Sequence, residues 1–173
     1  DAQGEPWARL PPPVARHLAQ YAAQLQRRAD LVAGPWWQLF RVRAATSPHR
    51  VIWGDLARRL EAASLPEATA VPLNSCYVIA TRDAHHAGTL TAWLNSSWIR
   101  ALARLSAEPA AGGAARFGAR AVGAVPWVES ILAHPDLGHV AAEPETLDTI
   151  VAEALALDAR DRDALAPLAA RRR

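Results

Sequence analysis

Nine side chains in three clusters carry chemistry suited to reading a nucleic acid. Arg41, Arg43, His49 and Arg50 flank the turn Thr46-Ser47-Pro48, Arg82, His85 and His86 follow an apolar segment, and Arg116 and Arg120 close a loop of small residues. A guanidinium donates two parallel hydrogen bonds to the major-groove edge of guanine, and contacts from Arg to phosphate set the register on a duplex. Every one of the 19 basic residues is Arg. That suits bidentate recognition, but it also follows from an Ala-rich composition of the kind GC-rich coding produces. Taken singly, each of the nine is equally an ordinary solvated charge.

Other chemistries fit poorly. His134 and His139 bracket Asp136, yet Pro135 and Gly138 make that stretch a turn and not a helix presenting two ligands on one face. The H-E-x-x-H pattern is absent and a single Cys cannot build a structural zinc site, so no metal is expected. There is no G-x-S-x-G elbow, and Cys76 in an apolar strand reads as a buried thiol. A P-loop needs Lys, which the chain lacks. Hydrolase and nucleotide-binding readings fall away.

The net charge of +2 over 173 residues is too small to mark a polyanion binder, so its distribution matters more. Residues 1–60 hold nine Arg against four acids, residues 61–130 five of each, and residues 131–173 five Arg against eight acids. A basic stripe facing an acidic rear is the arrangement expected of a surface docked on a polyanion, and by itself it is equally the ordinary scatter of a soluble surface. Half the residues are apolar and seven are Trp, so a packed core is expected and disorder is not. The chain starts at Asp1 and has no Met, as expected of a piece of something longer. The lone Cys76 excludes an internal disulfide, no segment is long and apolar enough to span a membrane, and no signal peptide is evident. Cytoplasm is the expected compartment.

The elements that would position these residues read as follows. Pro11 to Pro13 lead into a helix on which Val14, Leu18, Tyr21, Ala22, Leu25, Ala29 and Val32 share a face. It stops at Gly34-Pro35, and Trp36, Trp37, Leu39 and Phe40 follow as a bulky core anchor. Val51 to Trp53 predict a short strand, Leu56 to Ala63 a helical turn or two, and Val71 to Thr81 the strongest strand. Leu90 to Leu105 predict one helix burying Leu90, Trp93, Leu94, Leu102 and Leu105. Ala107 to Gly123 predict a loop with little order of its own, Val125 to Leu132 a short apolar segment, and Pro144 to Leu157 a helix with Pro at its start.

In order along the chain these landmarks resemble the C-terminal target-recognition part, the TaqI-like specificity domain, of adenine-specific DNA methyltransferases of type IIG restriction-modification systems. The residues that carry the likeness are Asn74 to Tyr77, Trp93 to Ser96, Gly112-Gly113, Arg116-Phe117, Pro126 and the tail Leu147 to Leu155. Leu155-Ala156 departs from the Tyr-Gly or Leu-Gly often found in that tail. The Asn-Pro-Pro-Tyr/Phe catalytic motif of those enzymes is absent, as is a Gly-rich cofactor loop.

The resemblance implies an α+β domain, a small twisted sheet braced by helices, in three parts: an extended lead at 1–11, a DNA target-recognition domain at 12–132 and a C-terminal helical appendage at 133–173. It implies sequence-specific binding of double-stranded DNA without catalysis by this chain. The partner is then a methyltransferase domain of the same polypeptide, which holds S-adenosylmethionine and methylates the flipped adenine. No cofactor is expected in this chain itself. Asn74, Asn95 and Ser96 are expected to be structural, through local side-chain to backbone bonds. The competing reading is a non-catalytic module that packs on a partner protein through its Trp residues.

Overall fold

The structure, a computed structural model, describes residues 5–39, 42–66, 70–134, 137 and 143–169. The chain divides into two compact units, Asp1–Ser47 and Pro48–Arg173.

In the first unit the expected long helix is broken. Helix α1 (Pro12–Ala19) starts on its Pro residues, and helix α2 (Ala22–Gln26) follows after Tyr21, whose backbone (φ −106°, ψ 1°) leaves the helical region. The His17 and Tyr21 rings meet edge to face at 5.8 Å across that break. The helix does not extend to Val32, which is 91% exposed. Gly34 turns the chain at φ +94°, a conformation that strains any residue with a Cβ. Trp36 and Trp37 pack edge to face, and Trp37 Nε1 donates to the Trp7 carbonyl at 3.1 Å. They are only partly buried, and Leu39 is exposed. The expected core anchor is thus a small aromatic pair in a unit with no fully buried residue among those described. Phe40 lies outside the described residues. Arg28 ties the unit together by donating to the carbonyls of Leu25 (3.2 Å) and Gln38 (2.7 Å). Helix α3 (Val42–Thr46) ends the unit.

The second unit is α+β. Strands β1 (His49–Gly54), β3 (Ala62–Pro66) and β4 (Cys76–Ala80) make an antiparallel sheet in the order β3-β1-β4. A second, smaller sheet has the order β2-β6-β5, from β2 (Leu56–Ala57), β5 (Glu108–Pro109) and β6 (Ala115–Arg116). Val51 and Trp53 face inward from β1. The Trp53 ring stacks on Tyr77 at 5.6 Å, and its Nε1 donates to the Phe117 carbonyl at 2.8 Å. Helix α4 (Ala84–Asn95) lies against β1 and β3 and contributes the buried Trp93 and Leu94. Among the described residues no helix is long and apolar enough to cross a membrane.

Three expectations are overturned here. Residues 56–63 are not helical, because Leu56 and Ala57 pair with Arg116 and Ala115 while Ala62 and Ala63 pair with Trp53 and Ile52. Residues 107–123 are ordered by the same non-local pairing: Phe117 is fully buried and donates its N–H to the Asp55 carbonyl at 2.7 Å, and helix α6 (Ala119–Gly123) follows. The single helix expected at 90–105 is two, α4 and α5 (Ser97–Ser106). Ser96, extended at ψ 150°, closes the first and caps the second by accepting the Ile99 N–H. That turn leaves Leu105 64% exposed while Ile99, Ala101 and Ala103 are buried. Helices α7 (Pro144–Ala154) and α8 (Ala159–Ala169) pack on α5, and Leu147 and Val151 belong to the main core. They lie within the second unit as its C-terminal helical part.

The break between α4 and α5 also fastens the sheet. Asn95 Oδ1 accepts the Ala62 N–H at 3.0 Å and Asn95 Nδ2 donates to the Ala62 carbonyl at 2.7 Å, as a neighbouring strand would. Asn95→Ala leaves both groups of a buried residue unpaired, so unfolding free energy from urea denaturation should fall by about 1–3 kcal/mol. An unchanged urea midpoint would show that the carboxamide is not holding the strand.

Candidate nucleic-acid interface

The N-terminal end of α4 gathers one of the three expected clusters. Asp83 caps this helix by accepting the His86 N–H at 2.7 Å, as short acidic side chains do at this position. That backbone hydrogen bond, aided by Arg82 at 3.4 Å, holds the Asp83 carboxyl below its ordinary value against an opposing effect of desolvation. Arg82 is 78% exposed. The two histidines point elsewhere. His85 Nε2 donates to the Leu132 carbonyl at 2.8 Å. The His86 ring stacks on Trp127 at 6.2 Å, with its Nδ1 buried and lacking a hydrogen-bond partner. Trp127 in turn meets Trp93 edge to face at 5.8 Å. Of this cluster, only Arg82 reaches well into solvent.

The cluster around Thr46 to Pro48 is divided. Arg41 lies outside the described residues. Arg43, in the first unit, is exposed and pairs with Glu5. His49, in the second, is half-buried at the start of β1, where its carbonyl accepts the Thr81 N–H at 2.9 Å. Arg50 corrects the expectation of an exposed loop residue, since it is 0% exposed. It sits on the sheet face opposite Val51 and Trp53, and Nη1 donates to the Ala70 carbonyl at 3.0 Å, tying the connection between β3 and β4 to the sheet. A guanidinium so placed serves the fold and has no surface to offer DNA.

Arg116 and Arg120 differ in availability. Arg116 lies on β6 between Leu56 and Glu108 and pairs with Asp55, whose other carboxylate oxygen is buried. Arg120, on α6, is exposed, and its side chain makes no hydrogen bond or ion pair with any described residue. The loop before Arg116 turns on Gly112 (φ +68°) and Gly113 (φ +78°), and Arg104 Nη2 reaches the Gly113 carbonyl at 3.2 Å.

Sequence reasoning passed over several cations that the structure leaves uncommitted. Arg9, Arg16, Arg27 and Arg58 are exposed and, like Arg120, have side chains with no hydrogen bond or ion pair among the described residues. On the single helix expected from the sequence, Arg16 and Arg27 fall opposite the apolar face, a signal that any solvated helix face gives equally. The described residues contain no group of three metal-ligating side chains. Asp136 and His139 lie outside them. Asn95 and Ser96 are structural, although Asn95 reaches another element and not only its own turn. Asn74 is exposed in the turn before β4. No protein-family model, curated protein or solved structure matches the chain.

Two outcomes follow from these placements. Arg50→Ala should lower unfolding free energy by about 2–4 kcal/mol in urea, whereas the exposed Arg120→Ala should stay within about 0.5 kcal/mol; equally small effects would contradict the buried placement of Arg50. The second concerns acid. Because folding lowers the Asp83 carboxyl, its contribution is complete above about pH 4, the unfolded value, and is lost as pH falls through the lower folded value. Asp83→Asn keeps a capping oxygen but removes the titration. Its urea midpoint should therefore decline less than that of the wild type on going from neutral to strongly acid pH, and parallel declines would count against the cap.

Proposed function

We propose that this chain binds double-stranded DNA as the target-recognition part of an adenine-specific methyltransferase. Methyl transfer from S-adenosylmethionine would belong to a catalytic domain of the same polypeptide. The observation that carries the reading is the division of labour among the arginines. Arg28, Arg50, Arg100 and Arg104 donate to backbone carbonyls and hold the fold. Arg9, Arg16, Arg27, Arg58 and Arg120 are exposed and uncommitted. Residues 1–47 carry six Arg against three acids, so the surplus of positive charge lies in the first unit. Arg43, Arg82 and Arg116 are paired with Glu5, Asp83 and Asp55. The pairs of Arg43 and Arg82 are exposed on both sides and worth under about 1 kcal/mol each, so a phosphate competes with Glu5 or Asp83 at little cost, whereas Arg116 faces a largely buried Asp55 and is less available.

The landmark order supports the same reading, because the Leu-Asn-Ser and Arg-Phe landmarks of the resemblance occupy the joints of the second unit. Leu94 to Ser96 make the break between α4 and α5, and Phe117 plugs the core beneath β1. A second reading, docking on a partner protein, draws on the apolar side chains exposed in the first unit, Val32 at 91% and Leu39 at 76%.

Fluorescence anisotropy of a labelled duplex across a salt series separates the two. For the DNA reading, Arg16→Ala, Arg27→Ala and Arg120→Ala should each weaken binding to all sequences alike and flatten the salt slope by about one unit. Arg82→Ala should behave likewise if it holds phosphate, or cost about 1–3 kcal/mol on one sequence only if it reads a base. Failure of the wild-type chain to bind duplex at low salt, or four variants with unchanged affinity and slope, would remove the DNA reading and leave the protein-docking one.

A further inference from the structure

The two edges of the sheet β3-β1-β4 are treated differently. Antiparallel pairing alternates residues whose backbone polar groups face the partner strand with residues whose groups face away. On β3 the groups of Ala62 face outward and are taken by Asn95, and Pro66 has no N–H to offer. Among the described residues of that edge, Ser64 alone is left with both its N–H and its carbonyl open.

On β4 the alternation is fixed from both ends. The His49 carbonyl accepts the Thr81 N–H and the Ser75 carbonyl accepts the Asp55 N–H, each at 2.9 Å. Tyr77 and Ile79, opposite Trp53 and Val51, therefore face β1, and Cys76, Val78 and Ala80 face away. The Cys76 N–H is taken by the Leu73 carbonyl at 3.0 Å. No described residue accepts the N–H of Val78 or Ala80. Cys76–Ala80 contains no charge and no Pro, and Ile79 is 37% exposed beside the open groups. Edges of folded proteins are ordinarily guarded by charge, Pro or a bulge. This one has none of them.

We propose that β4 pairs antiparallel with β4 of a second copy of this chain, about a two-fold axis at Ile79. In that register Val78 of each copy exchanges both hydrogen bonds with Ala80 of the other, four in all, and the two Ile79 side chains meet in a non-hydrogen-bonded pair. The strand is its own complement: an isologous contact sets each residue against its symmetry counterpart, and an uncharged strand meets itself without like-charge repulsion. A two-fold assembly would present the cationic surface twice, but the pairing does not depend on DNA binding.

Five-residue edges make a small interface of the transient class, so covalent trapping is the suitable readout. Residues directly opposite in a non-hydrogen-bonded pair lie close enough for a disulfide. With Cys76→Ser as background, Ile79→Cys treated with oxidised glutathione should give a disulfide-linked dimer. The rate should exceed that of Ser64→Cys in the same background by about tenfold or more, as pre-association raises effective concentration. Adding Val78→Pro removes an outward N–H without touching the pairing to β1, and should bring the Ile79→Cys rate down to the Ser64→Cys level while circular dichroism stays native. Equal rates for Ile79→Cys and Ser64→Cys, or trapping unaffected by Val78→Pro, would overturn the proposal. DNA binding measured on the Val78→Pro chain reports separately on the functional reading.

Discussion

The second unit hangs on the few residues where α4 stops and α5 begins. Asn95 closes the edge of β3 at Ala62, and Arg100 reaches back from α5 to the Leu60 carbonyl (2.8 Å) and to Asn95 Oδ1 (2.9 Å). On the other side, Asp148 of α7 accepts the Ser97 N–H at 2.7 Å, and its carbonyl accepts Trp98 Nε1 at 2.9 Å. One helix break thus holds a strand edge and docks α7. Its polar groups are part-buried, where an unmet donor or acceptor costs more than a met one contributes, so the joint is satisfied as a set or not at all. This is why α7 belongs to the unit, and why an Asn in a helix-terminal position governs a sheet.

The same economy of polar groups decides what the arginines do. Seven of the described arginines in the second unit have side chains turned to carbonyls or carboxylates of the fold: Arg50, Arg59, Arg82, Arg100, Arg104, Arg116 and Arg162. Rigid planar donors with several N–H groups suit such bracing. Cations left over, such as Arg16, Arg27 and Arg120, make no bond that the fold needs, and on them the proposed contact with a polyanion rests.

Local signals were legible where the cause is local. Val51 to Trp53 read as a strand from their β-branched and aromatic residues, Val71 to Thr81 reads as one but is strand only over Cys76–Ala80, and Pro144 marks the start of α7. Illegible features have distant causes. Order in 107–123 comes from pairing with Leu56 and Ala57 and from Phe117 filling the space beneath Trp53, neither of which small residues and Gly announce. Arg50 was misread because polarity beside a turn suggests exposure, whereas its burial depends on a carbonyl twenty residues away at Ala70. Ser96 is a recognisable cap, yet its flanking apolar pattern continues through it, so one helix was read where the backbone makes two.

The most direct measurement is a titration of the isotopically labelled chain with duplex DNA at low salt, followed by backbone amide chemical shifts. The expected result is a set of saturable shifts at and beside Arg9, Arg16, Arg27, Arg82 and Arg120, with the amides around Arg50 and Arg100 unmoved. No shift at saturating duplex, or shifts confined to the β4 edge, would contradict the assignment of the uncommitted arginines to DNA.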